Sequence, residues 1–202
     1  MRCHVSTDVE PRVPNPPLIP LIIVTGAPGS GKSTLARRLA GDLRLPLLMK
    51  DELKEALYDV FGSPDPAASR QVAQGAYTVL WCVVGRLLNA GCGLVLESNF
   101  YVGFSETALA PFVARASTVQ LQCGGDPEVI SQRYRERAER GERNPGHHDH
   151  AALPRLRDGL ANGSFEPLAL DIPTLRVDTT GATEYEPGYD EILRFIGEGI
   201  SR

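Results

Sequence analysis

The stretch that decides the fold of this chain is Gly26-Ala27-Pro28-Gly29-Ser30-Gly31-Lys32-Ser33-Thr34. It fits the pattern G-x-x-x-x-G-K-[ST] at every fixed position. A short apolar run rich in β-branched residues, 21–25, comes directly before it and predicts a buried parallel strand. The segment 32–43 carries leucines at helical spacing and predicts a helix. Glycines at the start of a helix allow successive backbone N–H groups to turn inward, so this stretch is expected to bind phosphate oxygens.

The same stretch predicts a ligand and its metal. Lys32 is expected to balance charge on the β- and γ-phosphates of a nucleoside triphosphate, and the Ser33 hydroxyl is expected to ligate Mg²⁺. The alternative is a glycine-rich turn with an incidental lysine, which the agreement of spacing, strand and helix disfavours. The guanine-reading tetrapeptide N-K-x-D of GTPases does not occur in the sequence. We therefore predict that residues 26–34 bind ATP together with Mg²⁺.

Apolar runs and periodic stretches alternate along the rest of the chain. Strands are predicted at residues 21–25, 45–49, 94–97, 118–123 and 175–177, with the last one at a sheet edge. Helices are predicted at residues 32–43, 53–61, 67–90, 105–116, 126–140 and 189–200, and a mobile loop at 141–150. Strands that alternate with helices predict an α/β fold whose parallel sheet is covered on both faces.

Length, composition and charge limit the classes of protein. With 202 residues, 42% of them hydrophobic and 23% charged, the chain suits one globular domain rather than a disordered or membrane-embedded protein. Its net charge of -4 provides no general field that attracts nucleic-acid phosphates, which favours a small-molecule partner. The domain is predicted at residues 18–202, after a flexible proline-rich arm at 1–17 that lacks the apolar core of a signal peptide.

The cysteines and the hydropathy of the sequence predict the compartment. Cys3, Cys82, Cys92 and Cys123 are scattered without metal-ligand spacing, so we expect reduced thiols in a cytoplasmic protein. No stretch approaches the roughly 18 consecutive apolar residues of a membrane span. We therefore expect no membrane partner, and the sequence leaves the oligomeric state open.

Four segments carry a resemblance to a known family: 26–34, Lys50-Asp51-Glu52-Leu53-Lys54, Leu96-Glu97-Ser98-Asn99, and the arginine-rich run near Arg137. Over most of Leu21 to Thr180, the chain resembles the small P-loop kinases of the zeta-toxin, chloramphenicol-phosphotransferase and polynucleotide-kinase group, within the AAA-type ATP-binding proteins. The resemblance implies a P-loop NTPase three-layer sandwich, a five-stranded parallel sheet in the order 2-3-1-4-5, and an arginine-rich lid at about residues 138–150. It also implies transfer of the ATP γ-phosphate to a hydroxyl group.

Two carboxylates are the candidate catalytic and metal-site groups. Asp51 matches the position at which an acid accepts the proton of the attacking hydroxyl in the kinases that the chain resembles; the alternative is a cap of the following helix. Glu97 ends a buried strand at the ligand-binding edge of the sheet, where the resemblance implies that it holds a Mg²⁺-bound water; the alternative is structural hydrogen bonding. Lys54 either touches the acceptor or is a solvated surface lysine.

Arginines of the predicted 126–140 helix and of the lid are candidates for stabilising a transferring phosphoryl group. Arg133, Arg137 and Arg140 share one helical face, and guanidinium groups stabilise such charge without needing a proton. By the resemblance, Arg133 lies near adenine, and Arg137 lies with Arg143 near the phosphates. The alternative is a solvated helix in which interleaved glutamates pair with the arginines.

Two further residues are candidates by their place in the chain. The histidine-rich segment 144–150 is expected to be exposed lid surface rather than a metal cluster, and His147 within it is a candidate substrate contact. Thr180 follows the fifth predicted strand and is either an adenine contact, by the resemblance, or part of an ordinary polar turn.

The sequence thus supports one main hypothesis and two alternatives. The main hypothesis is an ATP-dependent phosphotransferase that acts on a hydroxyl of a small molecule, with Asp51 as base. The first alternative is a kinase of nucleic-acid 5′-hydroxyls, suggested by the pair Asp51 and Lys54. The second is a non-catalytic ATP-binding regulatory module. The acceptor itself depends on a pocket between the helix after Asp51, the 67–90 helix and the lid, which the sequence does not describe.

Overall fold

A computed structural model describes residues 19–62, 65–181 and 184–201. The strands in these ranges are β1 (Pro20–Gly26), β2 (Leu47–Met49), β3 (Leu94–Glu97), β4 (Ser117–Gly124) and β5 (Thr174–Asp178). The α-helices are α1 (Lys32–Leu43), α2 (Lys50–Phe61), α3 (Pro66–Asn89), α4 (Glu106–Val113), α5 (Pro127–Glu139), α6 (Asp149–Ala161) and α7 (Tyr189–Ile200). A short 3₁₀ turn, Pro145–His147, precedes α6.

The described strands form one parallel sheet in the order β2-β3-β1-β4-β5. Parallel neighbours need crossover connections, and the helices between consecutive strands provide them. The predicted α/β class and the predicted strand order are both confirmed. β5 lies at an edge, as its alternating sequence suggested, and β1 lies at the centre.

Alternate residues of β1 pack on opposite faces of the sheet, which makes the fold a three-layer sandwich. Ile22 and Val24 belong to a core cluster on the face covered by α1 and α7, which contribute Leu35, Leu39, Ile192 and Ile196. Leu21 and Ile23 belong to a second cluster on the face covered by α3 and α4, which contribute Leu80, Val84, Leu88 and Leu109. A strand buried on both faces reads as a continuous apolar run, and this is why the sequence of β1 was informative.

The region after α5 differs from the prediction. The expected mobile loop at 141–150 is wrong in its second half, where the 3₁₀ turn and the first residues of α6 lie. No helix was predicted at 151–161, because Pro154 and Gly159 there are poor helix formers. The helix forms all the same, since its Leu156 is buried against Ile130 and Tyr134 of α5. Tertiary packing therefore outweighs local propensity in this segment.

The irregular segment 162–173 is held on the sheet by two buried glutamines of β4. The Gln122 side-chain amide donates to the carbonyl oxygen of Phe165 at 3.0 Å. The N–H of Leu168 donates to Gln120 Oε1 at 3.1 Å. These bonds explain how the two glutamine side chains are accommodated in the interior of the protein.

Two further predictions concern the N-terminal arm and membrane-spanning segments. The flexible arm at residues 1–17 lies outside the described residues and stays a prediction. Among the described helices, none combines the length and the hydropathy that crossing a bilayer requires.

Candidate active site

The phosphate-binding stretch follows β1 and opens α1, as the sequence predicts. Gly26 and Gly31 have φ angles of 142° and 74°, which L-residues with side chains rarely adopt. A Cβ atom at Gly26 would also lie 2.1 Å from the carbonyl oxygen of Cys123, so no side chain fits there. The Ser30 N–H donates to the Ala27 carbonyl oxygen at 3.0 Å and closes the loop into a compact turn.

Polar groups at this loop and on α5 lack partners. Ser30 Oγ and the Nε and Nη2 atoms of Arg137 are buried without a hydrogen-bond partner among the described residues. Buried polar atoms in folded proteins are nearly always hydrogen-bonded. Arg137 lies one turn after Tyr134, whose Cβ lies 3.3 Å from the position that a Cβ on Gly29 of the loop would take. A polyphosphate offers acceptor oxygens, so these orphaned donors fit the predicted ligand.

Lys32 and Glu97 form a buried ion pair beside the loop. The Nζ atom of Lys32 lies 3.6 Å from Glu97 Oε1, and the Ser33 hydroxyl donates to Glu97 Oε2 at 3.4 Å. The sheet register brings these groups together, because Glu97 of β3 is paired with Val24, close to the start of the loop. Burial raises the pKa of Glu97 above its ordinary value, and the Lys32 ammonium opposes that change.

The oxygen atoms beside Lys32 suit the predicted magnesium ion. Ser33 Oγ and Glu97 Oε2 offer two oxygen donors that lie 3.4 Å apart. Mg²⁺ in nucleotide sites takes few protein ligands and completes its shell with water and phosphate. Among the described residues, no group of three or more His, Cys, Asp or Glu side chains is arranged to hold a metal. The donor set therefore fits Mg²⁺ that arrives with a nucleotide, and the metal roles of Ser33 and Glu97 stay predictions.

Asp51 lies in the first turn of α2, directly after β2, whose last residue Met49 is paired with Glu97. Its carboxylate accepts from Lys50 Nζ and from Arg143 Nη2, each at 2.5 Å. Burial alone would raise the pKa of Asp51, but these two cations hold it well below its ordinary value, so the group is ionised. Met49, and not Asp51, occupies the cap position of α2. The carboxylate faces the site, where a catalytic base would be needed.

Arg143, in the segment between α5 and the 3₁₀ turn, contacts residues of α2 and of α6. Its guanidinium group contacts Asp51, lies 3.8 Å from Glu55, and donates to Asp149 at 3.2 Å. His147 lies 2.9 Å from the same Glu55, and only 5% of its side chain is exposed. The expectation of an exposed histidine surface is therefore wrong for His147. Burial, together with the nearby Arg143, lowers the pKa of His147 to about 3, so its ring is neutral.

The three arginines that share a face of the predicted helix have different surroundings. Arg133 donates to the carbonyl oxygen of Thr179 at 2.9 Å. The Arg137 guanidinium lies over the ring of Tyr134, at 5.3 Å from its centroid. Arg140 is exposed and pairs with neighbouring glutamates, as the solvated-helix alternative expects. Arg137 is thus the arginine of this face whose donors the described residues leave unsatisfied.

Replacing Arg137 with Met is expected to lower kcat about 100- to 1000-fold, because a guanidinium that meets transition-state charge is lost. The unfolding free energy is expected to stay the same or rise, since a partly buried, unpaired cation becomes apolar. Steady-state kinetics and urea unfolding measure the two effects. Arg140→Met is the matched control on the same helix and should change neither. Unchanged kcat in Arg137→Met would remove Arg137 from the mechanism.

Thr179, and not Thr180, reaches the phosphate-binding loop. The Thr179 hydroxyl donates to the Ser30 carbonyl oxygen at 2.6 Å and so ties the end of β5 to the loop. The Thr180 hydroxyl accepts from the Asp126 N–H at 3.1 Å and donates to Asp178 Oδ1 at 2.6 Å. Thr180 is therefore occupied within its own turn. Adjacent residues of an extended chain point to opposite sides, and the sequence alone did not show which side faces the loop.

A cavity of about 440 Å³ lies next to these groups. Its lining includes Pro28 of the phosphate-binding loop, Lys50 and Lys54 of α2, Tyr77 of α3 and His147 of the lid. It lies where the sequence reasoning located an acceptor pocket, between α2, α3 and the lid. Lys50 connects the cavity to the candidate base, because it lines the cavity and also donates to the Asp51 carboxylate.

Sequence reasoning missed three residues of this site. Lys50 stands inside the quoted 50–54 segment but received no role, and only the structure shows it paired with Asp51. Asp149 was counted among exposed residues, whereas it binds both Arg143 and the Tyr134 hydroxyl, the latter at 2.8 Å. The position of Lys50 directly after β2 was the one usable signal, since ligands in open α/β folds bind at the carboxyl ends of the strands. Thr179 and Asp149 gave no signal.

Comparison with known proteins agrees with this geometry. A family model described as an AAA domain matches residues 21–161. The crystal structure of a "putative kinase" from Chloroflexus aurantiacus J-10-fl is 34% identical, covers 90% of this chain and 98% of its own, and has a TM-score of 0.79. A gluconokinase from Sinorhizobium meliloti 1021, 18% identical with coverage of 93% of both chains and a TM-score of 0.52, shares the fold.

A curated relative is also similar to part of the chain. The shikimate kinase of Bradyrhizobium diazoefficiens is 32% identical over 120 residues, which are 59% of this chain and 55% of the relative. The chain thus spans about half the length of this curated relative. The resemblance to P-loop kinases is confirmed for family and fold, whereas the zeta-toxin and chloramphenicol-phosphotransferase subgroup stays a prediction. By the match over residues 21–161, the chain belongs to the AAA domain family.

Proposed function

We propose that this protein is an ATP-dependent kinase that transfers the γ-phosphate to a hydroxyl group of a small molecule. One observation carries the proposal: the cavity beside α2 is lined both by Pro28 of the phosphate-binding loop and by Lys50, which is bonded to the ionised Asp51. A phosphate donor, a candidate base and a space for an acceptor therefore adjoin one another. The kinases among the related proteins support the same reaction class.

The proposed reaction is an in-line displacement at the γ-phosphorus. The acceptor oxygen forms a bond to phosphorus while the bond to the β,γ-bridging oxygen breaks, and ADP leaves. Asp51 accepts the proton of the attacking hydroxyl. Its carboxylate is bonded to Lys50 and Arg143. Phosphate oxygens compete for Arg143, so nucleotide binding is expected to free one Asp51 oxygen for the acceptor.

Other residues bind the nucleotide. Residues 26–34 surround the phosphates with backbone N–H groups, and Lys32 balances their charge. Arg137 offers its unsatisfied donors to the transferring phosphoryl group. Arg133 and Thr180 are proposed to border the adenine. Ser33, and Glu97 through water, would hold Mg²⁺, which would neutralise charge on the phosphate chain.

The alternatives differ from the proposal in measurable ways. A regulatory module would bind Mg-ATP and produce no ADP with any acceptor. A nucleic-acid 5′-hydroxyl kinase would bind oligonucleotides with strong salt dependence. The net charge of -4 and a cavity volume of about 440 Å³ favour the small acceptor. A cytoplasmic location remains a prediction from the scattered cysteines.

The proposal is tested by a screen of hydroxyl compounds with Mg-ATP and the purified chain. ADP formation is followed by a coupled assay, and each responding acceptor is checked for added phosphate by mass spectrometry. We expect ADP and phosphorylated product in equal amounts for one chemical class. Tight Mg-ATP binding with background ADP release across sugars, sugar acids, sugar phosphates, amino alcohols and oligonucleotides would contradict the proposal and favour the regulatory module.

A further inference from the structure

All three lysines of the chain are buried in the site. Lys32, Lys50 and Lys54 expose 7%, 7% and 8% of their surface, although lysine is almost never buried unless its charge is paired. Lys32 and Lys50 each form an ion pair with a carboxylate. Within the described residues Lys54 has no carboxylate at ion-pair distance, and it donates instead to the neutral hydroxyl of Ser69 at 3.1 Å. Lys54 is therefore a buried cation without a counter-ion.

The ring of Tyr58, whose centroid lies 5.2 Å from Lys54 Nζ, faces this charge, but no carboxylate among the described residues pairs with it. Lys50 on the same helix and Arg143 from the lid are cations, while Asp51 and Asp149 are already bound to them. Burial first, and then Lys50 and Arg143, lower the pKa of Lys54 to about 8, with Asp51 and Asp149 opposing. At neutral pH the Lys54 side chain is therefore still protonated in most molecules. A buried charge without a counter-ion costs free energy of folding.

The cavity beside Lys54 has an unusual charge composition for this protein. Cationic side chains of its lining are Lys50, Lys54, Arg70 and Arg155, and no Asp or Glu occurs among the described lining residues. The chain as a whole has a net charge of -4. The charged lining residues of the cavity are thus cationic although the chain as a whole is acidic, and cations of this kind attract an anionic ligand.

We propose that the acceptor is a small hydroxylated anion, whose carboxylate or phosphate ester pairs with Lys54 inside this cavity. This inference rests on the proposed kinase function and names its substrate class. Lys54 follows Asp51 by three residues of α2, a rise of about 4.5 Å along the helix axis. One small molecule therefore spans from the anion at Lys54 to the reacting hydroxyl at Asp51.

The walls of the cavity favour a small molecule over a nucleic acid. Tyr77, Tyr101 and Phe165 provide apolar surface, and the Tyr77 hydroxyl is fixed by Ser98 at 2.9 Å. A volume of about 440 Å³ is in the range of metabolite sites. Binding of a nucleic acid relies on many cations along the phosphate backbone, whereas the lining of this cavity has four.

A purely structural role for Lys54 makes a different prediction. Lys54 donates to Ser69 Oγ, which lies 2.6 Å from the Tyr58 hydroxyl, so the lysine belongs to a network that joins α2 to α3. If this were its whole role, loss of the charge would change the stability of the protein and leave acceptor affinity unaffected. Binding and stability must therefore be measured on the same variants.

The first measurement is NMR of the protein with ¹⁵N or ¹³C at the lysine side chains. The chain offers three such signals, from Lys32, Lys50 and Lys54, which single Lys→Arg variants assign. Sugar acids and sugar phosphates are added stepwise to the Mg-ADP complex of the protein. The corresponding neutral sugar is added in a parallel titration as the control. A bound anion is expected to raise the pKa of Lys54 by about 1 or more, and the neutral partner to leave it unchanged. An anion panel that leaves the Lys54 signal unchanged would overturn the inference.

The second measurement compares variants in the phosphotransfer assay. Lys54→Met is expected to raise KM for the anionic acceptor about 10- to 100-fold, with a small change in kcat, and Lys54→Arg to restore most of the affinity. Arg86→Gln removes an exposed cation of α3 outside the cavity and is the matched control. Urea unfolding of each variant separates loss of affinity from loss of folding.

Failure of this inference is distinguishable from failure of the proposed function. If Mg-ATP is used to phosphorylate neutral acceptors as well as anions, the kinase stands and the anion-binding inference fails. If Lys54 responds to anions while no acceptor is phosphorylated, the anion site stands and the kinase proposal fails. Salt-sensitive binding of oligonucleotides that exceeds that of every small anion would overturn the assignment to a small molecule.

Discussion

Asp51→Asn is expected to lower kcat about 100- to 10,000-fold, because an amide does not accept the proton of the attacking hydroxyl. Affinity for Mg-ATP is expected to stay within about threefold, since Lys32 and the backbone of residues 26–34 hold the phosphates. Single-turnover transfer and equilibrium nucleotide binding measure these effects separately. The combination of lost transfer and kept binding is what distinguishes a base from a nucleotide ligand.

The matched control for this variant is Glu52→Gln. Glu52 is the next residue of α2, is exposed, and pairs with Arg37 in solvent, so its loss should leave both measurements unchanged. Asp51→Asn also leaves Lys50 and Arg143 without their shared carboxylate, and urea unfolding reports any cost in stability. A folded Asp51→Asn protein with undiminished turnover would exclude Asp51 as the base.

The pH dependence of the wild-type protein offers an independent check. Lys50 and Arg143 hold the pKa of Asp51 below its ordinary value, so its ionised form persists to lower pH than that of a free aspartate. The acidic limb of kcat/KM is therefore expected below about pH 4, where an unperturbed Asp titrates. An acidic limb near pH 6 that disappears in Asp51→Asn would contradict this environment.

Lys32→Met is expected to weaken Mg-ATP binding about 10- to 100-fold and to lower kcat about a further 100- to 1000-fold. The Lys32 ammonium balances negative charge that is already present in bound ATP and that grows on the β-phosphate of the leaving ADP. Its loss therefore weakens nucleotide binding and also slows phosphoryl transfer. Isothermal titration and steady-state kinetics measure the two losses. Arg37→Met, an exposed cation of the same helix, is the control and should leave both near wild type.

Folding must be controlled in the Lys32 experiment. Glu97 is buried and pairs with Lys32, so removing the lysine alone is expected to cost about 3–5 kcal/mol of unfolding free energy. In the double variant Lys32→Met with Glu97→Gln, the carboxylate charge is also absent and most of that stability should return. If nucleotide affinity returns along with stability, Lys32 has a structural role and the phosphate-binding account is incorrect.

The local sequence was sufficient to predict the structure where a residue pattern is compatible with only one backbone conformation. Positive φ angles require glycine at positions 26 and 31. For this reason the pattern of residues 26–34 was enough to predict the loop, the strand before it and the helix after it. The helix limits of α1 and α7 agree with the prediction, since their apolar periodicity is regular. Strand order followed from the family resemblance and is confirmed.

Other features depend on contacts between distant segments. Helix α6 forms although it contains Pro154, because it packs on α5. The local sequence does not indicate this packing. Asp51 and Arg143 are 92 positions apart in the chain, and their ion pair exists because α2 and the lid meet over the sheet edge. The burial of His147 and the bond from Thr179 to the phosphate-binding loop have the same origin.

The sequence by itself determined that this protein has a phosphate-binding loop between a central strand and its helix, because backbone geometry there tolerates few residues. Only the tertiary structure decided which charges remain unpaired. Arg137 and Lys54 lie among many basic residues of the sequence. In the part of the chain that the structure describes, two donors of Arg137 have no acceptor and the charge of Lys54 has no carboxylate at ion-pair distance. Pairing is a property of three-dimensional distance, since electrostatic and hydrogen-bond energies depend on separation and burial rather than on chain order.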